Sequence, residues 1–162
     1  MSGGPVFSAA FNAVALTTNP QDMFYVTANS SSRVAVREIR LGQYTEFGDA
    51  QAELLSLQIL VGSTSLAVGS TITPRNVARH TGGPTAGTAV SAPSTTVSST
   101  ASAVQMLADV WNVEGGWWYN PPECERIILN PGQNLALRMT APNDAMTVNG
   151  TLVFQEIGKV PG

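Results

Sequence analysis

Few side chains in this sequence could carry out chemistry, and they are widely separated. A nucleophilic triad needs a base beside the nucleophile, but the only histidine is His80 and the only cysteine is Cys124. A zinc site needs several sulfur, nitrogen or carboxylate ligands, which this pair does not supply. The glycine pairs Gly82-Gly83 and Gly115-Gly116 lack the helix that follows a phosphate-binding loop. We therefore expect no catalytic residues, no metal and no cofactor.

Two pairs of carboxylates are the remaining candidates for catalysis, since glycoside hydrolysis uses two carboxyl groups across a cleft. Asp49 lies close to Glu53 in the sequence, and Glu123 lies close to Glu125. In an extended chain Glu123 and Glu125 would point to the same face. A solvated turn explains them better, so a hydrolase that uses Glu123 or Glu125 is only a third hypothesis. We expect that the protein is not an enzyme.

Aromatic residues give the clearest local signal. Around Gly115-Gly116 the sequence places Trp111, Trp117, Trp118 and Tyr119. Successive side chains of a strand point to opposite faces, so Trp117 and Trp118 cannot both enter the core. We expect one of them to face a partner subunit, because Trp and Tyr combine a large contact area with a polar group. The alternative is that this tryptophan stacks on a sugar ring. Trp111 could instead pack in the core.

The elements that position these residues are predicted to be strands. Alternating apolar side chains, the pattern of half-buried strands, occur in segments 33–41, 53–61, 134–140 and 146–156. Further strands are expected at 6–16, 24–26, 66–72, 103–113 and 127–129. This number of short strands predicts an all-β fold, an antiparallel sandwich of two sheets that is similar to a jelly roll. We expect residues 1–162 to form a single domain.

Three local features are predicted within these strands. The alternation shifts by one residue near Arg37, which indicates a bulge or a strand that changes sheets. Gly150 interrupts an apolar face, which indicates a bulge or a close approach of another group. The segment 130–133 reads Asn-Pro-Gly-Gln and predicts a turn with Gly132 at positive φ.

Residues 73–104 look like a long insertion of low complexity. At its start, Thr73 and Pro74 are typical of a helix N-terminus, which predicts a short helix that carries Arg75 and Arg79. We include these two arginines among the candidate interaction residues. Every residue from Thr81 to Val104 is Thr, Ser, Gly, Ala, Pro or Val. Such a segment is typical of a flexible surface loop or of an extended arm that pairs with a neighbouring subunit.

Charge is scarce along the whole chain. Charged residues make up 12% of the sequence, with 8 Lys+Arg, 11 Asp+Glu and a formal net charge of −3, whereas soluble domains hold about 25%. The basic residues are scattered, so we expect no nucleic-acid partner, and the apolar runs are too short to predict a membrane partner. The two stretches with the fewest charges, Thr81–Val104 and Asp109–Glu123, are the predicted contact surfaces.

Three segments resemble small virion structural proteins of tailed bacteriophages: VAVREIRLGQYTEFGDAQAELLSLQI, VWNVEGGWWYNPPECERIILNPGQNLALRM and VNGTLVFQEIG. The resemblance runs from about Leu16 to Gly158 and includes no catalytic motif. It implies a jelly-roll-like decoration or cement protein on the capsid exterior, a homotrimer that contacts the major capsid protein. Our leading hypothesis is therefore a non-enzymatic virion structural protein. The alternative is a jelly-roll module of a phage fibre or tail that binds a carbohydrate or a receptor.

Overall fold

The computed structural model describes residues 3–44, 53–64, 69–79, 82–99, 101–143 and 146–159. Strands dominate these ranges, and the one helical element in them is a single 3₁₀ turn at Glu123–Glu125. The strands are β1 (Val6–Ala15), β2 (Gln21–Thr27), β3 (Ser32–Gln43), β4 (Leu54–Val61), β5 (Thr71–Ile72), β6 (Arg75–Asn76), β7 (Ala89–Ser91), β8 (Val104–Asn112), β9 (Trp117–Tyr119), β10 (Ile128–Leu129), β11 (Asn134–Met139) and β12 (Thr147–Lys159). The predicted all-β class is confirmed. His80 and Asp49 lie outside the described residues.

The strands form two antiparallel sheets packed as a sandwich. Sheet A has the order β10-β3-β12-β1-β6, with β9 also paired to β3, and sheet B has the order β5-β7-β2-β11-β4-β8. The first strand pairs with the last, and the pairing continues inward as β1 with β12, β2 with β11, β3 with β9 and β4 with β8. Successive pairs alternate between the sheets, which is the nested arrangement of a jelly roll. The predicted jelly-roll-like sandwich is therefore confirmed.

The space between the sheets is filled by aromatic and aliphatic side chains from alternate strand positions. Phe7 stacks on Phe154 with ring centroids 5.6 Å apart, and Phe11 meets Phe24 at 5.0 Å. The largest side chains with almost no exposure also include Trp111, Met23, Ile39, Leu57, Ile59 and Leu137. Burial of this apolar surface is the main favourable contribution to folding.

The irregularity predicted near Arg37 is a bulge. On β12, Val153 pairs with Glu38 and the next residue, Phe154, pairs with Val36, so Arg37 is the extra residue. The extra residue changes which alternate positions face the core, and Val36 and Ile39 are consequently both fully buried. The turn predicted at 130–133 is also confirmed, because the Gln133 N–H donates to the Asn130 carbonyl at 2.9 Å and Gly132 has φ of 77°.

Gly150 is a point of close approach, as its position in the apolar pattern predicts. A Cβ atom on Gly150 would lie 2.5 Å from two ring atoms of Phe11 and 3.0 Å from the ring of Phe24. On β1, opposite this glycine, the register also shifts between Phe11 and Val14. The absence of a side chain at Gly150 therefore allows the two phenylalanine rings to meet in the core.

Replacing Gly150 with alanine should destabilise the fold by about 1–3 kcal/mol, because the added methyl group overpacks the Phe11 and Phe24 rings. The midpoint of urea unfolding measures the loss. Gly158→Ala in the same strand is the matched control, since a Cβ at Gly158 would meet no atom within 4 Å. Equal midpoints for the two variants would contradict this account of Gly150.

The short helix predicted to begin at Pro74 and to carry Arg75 and Arg79 is wrong. Arg75 and Asn76 form β6, which pairs with Ser8 and Phe7 at the edge of sheet A. The Asn76 carboxamide oxygen accepts hydrogen bonds from the N–H groups of Ala78 at 3.0 Å and Arg79 at 2.8 Å. The strand edge and this asparagine thus satisfy backbone groups that a helix would otherwise have paired.

The described part of the low-complexity segment contributes a strand to sheet B of its own chain. Its strand β7 lies between β5 and β2 of the same chain, so both edges of β7 are occupied. After β7 the chain crosses the outer face of sheet B to reach β8 at the far edge. We call residues 92–99 and 101–103 the strap. Beneath it Tyr25, Leu60 and Ala136 are buried although they face away from the core.

Carboxylates from the sheets hold this uncharged segment in place. Asp22 Oδ2 accepts the Ser98 N–H at 2.7 Å and the Ser98 hydroxyl at 2.5 Å, and Arg138 binds both Asp22, at 3.4 Å, and the Ser98 carbonyl. Near β7, Glu156 Oε1 accepts the Thr88 N–H and hydroxyl, each at 2.8 Å. The segment carries no charge of its own, and buried charges from β2, β11 and β12 provide its strongest hydrogen bonds.

Burial beneath the strap raises the pKa of Tyr25 to about 12. The unfolded chain releases this proton near pH 10, whereas the folded chain holds it. The free energy of unfolding should therefore fall as pH rises from about 10 to about 12, while below pH 10 this contribution is fully present. Urea unfolding at a series of alkaline pH values measures the decline.

The variant Tyr25→Phe isolates this effect from the other tyrosines. It should flatten the pH dependence between about 10 and 12, although burial also raises the pKa of Tyr119 and leaves a smaller decline. An unchanged slope in Tyr25→Phe would show that Tyr25 is not the group responsible.

Candidate interaction surface on β8 and β9

Strand β8 is an edge strand with unusual exposure. It is nine residues long and pairs with β4 on one side, while within the described residues its other side has no strand neighbour. Four large apolar side chains on β8 and β4 are exposed: Leu54 by 71%, Val104 by 60%, Met106 by 51% and Val110 by 57%. We call these four residues the edge patch. Free backbone groups and three of these four side chains thus occur together on β8.

Natural sheets usually protect such an edge. Lysine, proline, inward-pointing charges and short strand length all prevent edge-to-edge pairing. Strand β8 contains no lysine, arginine or proline, and its one charged residue is Asp109. The carboxylate of Asp109 accepts the indole N–H of Trp117 at 2.9 Å. A bulge at Met106 and the charge of Asp109, which shares its face with the core residue Trp111, are the two protective devices of β8, so the edge is only partly protected.

The aromatic cluster divides between the core and the surface. Trp111 is fully buried, and its indole N–H donates to the Gly115 carbonyl at 2.7 Å. Trp117 is buried and stacks on Tyr119 with ring centroids 6.4 Å apart, whereas Trp118 is 64% exposed. The prediction that Trp117 and Trp118 point to opposite faces is confirmed. The bond from Trp117 on β9 to Asp109 on β8 also ties the two sheets together.

Arg75 and Arg79 do not join this cluster. Both are exposed, but β6 lies at the β1 edge of sheet A, whereas β9 lies on β3 at the other side. Four strand spacings of about 4.8 Å each separate β6 from β9. The structure therefore brings together Trp111, Trp117 and Tyr119 and leaves the two arginines on a different edge.

Of the residues considered for catalysis, Glu123, Cys124 and Glu125 are exposed. Glu123 and Glu125 lie on the 3₁₀ turn, so the extended conformation considered for them is wrong, and Cys124 between them is an exposed free thiol. No group of His, Cys, Asp and Glu side chains that could hold a metal occurs in the part of the chain that the structure describes. None of its helical elements is long and apolar enough to cross a membrane.

The residues of the edge patch were not among the interaction residues predicted from the sequence. Within 104–110, apolar side chains occupy positions of both parities, Val104, Met106, Leu107 and Val110 among them. A half-exposed strand would show strict alternation, so this pattern was the available signal of a strand with a second apolar surface. Leu54 had no comparable signal.

Comparison with known proteins adds little to this geometry. No protein-family model matches the chain, and no curated protein matches it. Among solved structures, the chain is similar to one from the three-dimensional structure of maize chlorotic mottle virus obtained by single-particle analysis. The two are 10% identical over 98% of each chain, with a TM-score of 0.27. Such a score carries no argument about function, and the fold assignment rests on the strand pairing described above.

Proposed function

We propose that this chain is a non-enzymatic structural protein of a virus particle, which decorates or cements the outside of a bacteriophage capsid. In this proposal it acts as a homotrimer and contacts the major capsid protein. The observation that carries the proposal is strand β8, a nine-residue edge with exposed apolar side chains and almost no protective charge. A strand of this kind invites pairing with another chain.

The edge patch can supply the binding energy that such a role needs. Complete burial of one Val, Leu or Met side chain contributes about 1.5–3 kcal/mol. The four side chains of the edge patch are each half exposed or more, so covering them contributes on the order of 4 kcal/mol. Losses of translational and side-chain freedom offset part of this gain. A single contact would be weak, but repetition over a capsid shell strengthens the total through multivalency.

The low charge of the chain supports the same role. Of the few charged residues, Asp22, Arg138 and Glu156 are used inside the molecule to hold the strap and β7. Their burial leaves even fewer charges on the surface than the sequence count implies. A surface with so little charge gives weak repulsion between neighbouring copies, which suits a protein that works in contact with others.

Mass in dilute solution, combined with binding to empty capsids of the virus that encodes the chain, tests this proposal. Light scattering should give about three times the mass of one chain, and the protein should sediment with the capsids. A monomer at all concentrations that never sediments with capsids would overturn the proposal.

A further inference from the structure

The outer face of sheet A carries an exposed tryptophan that the edge patch does not use. Trp118 is 64% exposed, whereas the neighbouring Trp117 fills the core. The fold therefore does not need the Trp118 ring for packing. A flat aromatic ring on a sheet surface offers a stacking face to a ligand.

The strand register places polar side chains beside Trp118. Trp118 on β9 is opposite Arg40 on β3, and Arg40 is opposite Thr151 on β12. Directly opposite residues lie on the same face of a sheet, so the three side chains form a row. With strands about 4.8 Å apart, the row is about 10 Å long, which is comparable with two linked sugar rings.

A shallow depression lies beside Arg40 and Thr151, the two residues of this row that are farther from the β9 edge, and Trp118 stands outside its lining. It has a volume of about 260 Å³ and is lined by Arg40, Leu41, Gly42, Asn149, Gly150 and Thr151. Gly42 shares the outer face with Arg40, and a Cβ added to Gly42 would meet no atom within 4 Å. The missing side chain of Gly42 thus leaves space that a ligand could occupy.

The polar groups around the depression are held in defined orientations. Arg40 Nε lies 2.6 Å from Glu38 Oε1, which fixes the plane of the guanidinium group. The Asn149 side-chain oxygen accepts the Ala13 N–H at 2.6 Å, which fixes the amide. The remaining N–H groups of Arg40, the amide NH₂ of Asn149 and the hydroxyl of Thr151 provide several donors and an acceptor close together.

We infer that this surface binds a neutral oligosaccharide, with one sugar ring stacked on Trp118 and its hydroxyl groups bonded by Arg40, Asn149 and Thr151. A sugar ring offers an apolar C–H face to an aromatic side chain and hydroxyl groups that both donate and accept. The short ion pair between Arg40 and Glu38 cancels the local charge. Binding of a phosphate backbone needs uncompensated positive charge, so this face does not favour nucleic acid.

The oligosaccharide site is independent of the proposed role of the edge patch. Trp118 and Arg40 lie on the outer face of sheet A, while the strap covers the outer face of sheet B. The two outer faces of a sandwich point in opposite directions. The site also shares no residue with the edge patch, which belongs to β8 and β4 of sheet B.

An array of immobilised neutral oligosaccharides, probed with the full chain, identifies the best ligand. Calorimetric titration with the free oligosaccharide then gives its affinity for the wild type and for variants that lack Trp118. Trp118→Ala and Gly42→Val should each weaken binding at least tenfold, the first by removing the stacking face and the second by filling the depression. Both variants should keep the unfolding temperature of the wild type. Ile128→Ala is the matched control, because Ile128 is an exposed apolar residue on another strand paired with β3.

The outcomes distinguish the inference from its alternatives. Loss of binding in Trp118→Ala and Gly42→Val with unchanged binding in Ile128→Ala would support it. An array with no signal above the blank would overturn it, and so would a Trp118→Ala variant that binds as tightly as the wild type. These readouts do not depend on whether the protein joins a capsid.

Discussion

Replacing both Met106 and Val110 with lysine should abolish self-association while leaving the fold intact. Both side chains are more than half exposed on the edge strand β8, so neither charge would enter the core. Lysine on an edge strand is the usual protection against pairing with another chain. Loss of two apolar contacts and the cost of burying a charge should remove about 3 kcal/mol or more, which is about a hundredfold in Kd.

The dependence of solution mass on protein concentration measures this loss. Val77→Lys is the matched control. Val77 has 58% exposure, close to that of Val110, but it follows β6 at the edge of sheet A, whereas β8 belongs to sheet B. The control should associate as the wild type does. If the double variant still associates normally, or if Val77→Lys disrupts association equally, the edge patch is not the interface.

Replacing Arg138 with methionine should destabilise the fold by about 3–5 kcal/mol, the cost of breaking a buried ion pair by removing one partner. Asp22, the partner carboxylate, has no exposed side-chain surface, and Arg138 retains 14%. Among the described residues, the variant would leave the buried charge of Asp22 with Ser98 as its side-chain partner and would also remove the bond from Arg138 to the Ser98 carbonyl. Urea unfolding provides the measurement.

Arg40→Met is the matched control for Arg138→Met. Arg40 pairs with Glu38 at 2.6 Å, closer than the pair of Arg138 and Asp22, but Arg40 is 57% exposed. Exposed ion pairs contribute about 0–1 kcal/mol, so the control should lose little stability despite its shorter distance. A similar loss in both variants would show that burial of the pair does not anchor the strap.

The regular part of the fold could be predicted from the sequence because local pattern and tertiary structure agree there. In segments such as 53–61 and 134–140, alternating apolar residues correspond to β4 and β11, the central part of sheet B. The shift near Arg37 likewise corresponds to a bulge. In each case one face of the strand meets the core, so the periodicity of two is visible in the residues themselves.

The strap could not be predicted because its position depends on distant partners. Ser94 and Ser98 have no local pattern that distinguishes them from linker residues, and their partners are Gln21 and Asp22 on β2. The strap consists of small residues because it lies close to the outer face of sheet B, where larger side chains would not fit over Tyr25. The failed helix at Arg75 has a similar cause, because the available edge of β1 outweighs the local signals of Thr73 and Pro74.

The candidate surface was only partly foreseeable for the same reason. The opposite orientations of Trp117 and Trp118 follow from strand geometry alone. Their partners depend on which strands become neighbours, and the sequence does not show this. Trp117 bonds to Asp109, and Trp118 is opposite Arg40. Sparse charge predicts that part of the surface meets another molecule, and four of the exposed large apolar residues lie on β8 and β4.

An image reconstruction of intact virus particles at a resolution that separates strands tests the central claim most directly. The proposal predicts this jelly roll on the outside of the capsid, with strand β8 and Val110 against a neighbouring chain. Absence of the protein from the particle would contradict the account, and so would a position in which the whole β8 edge faces solvent.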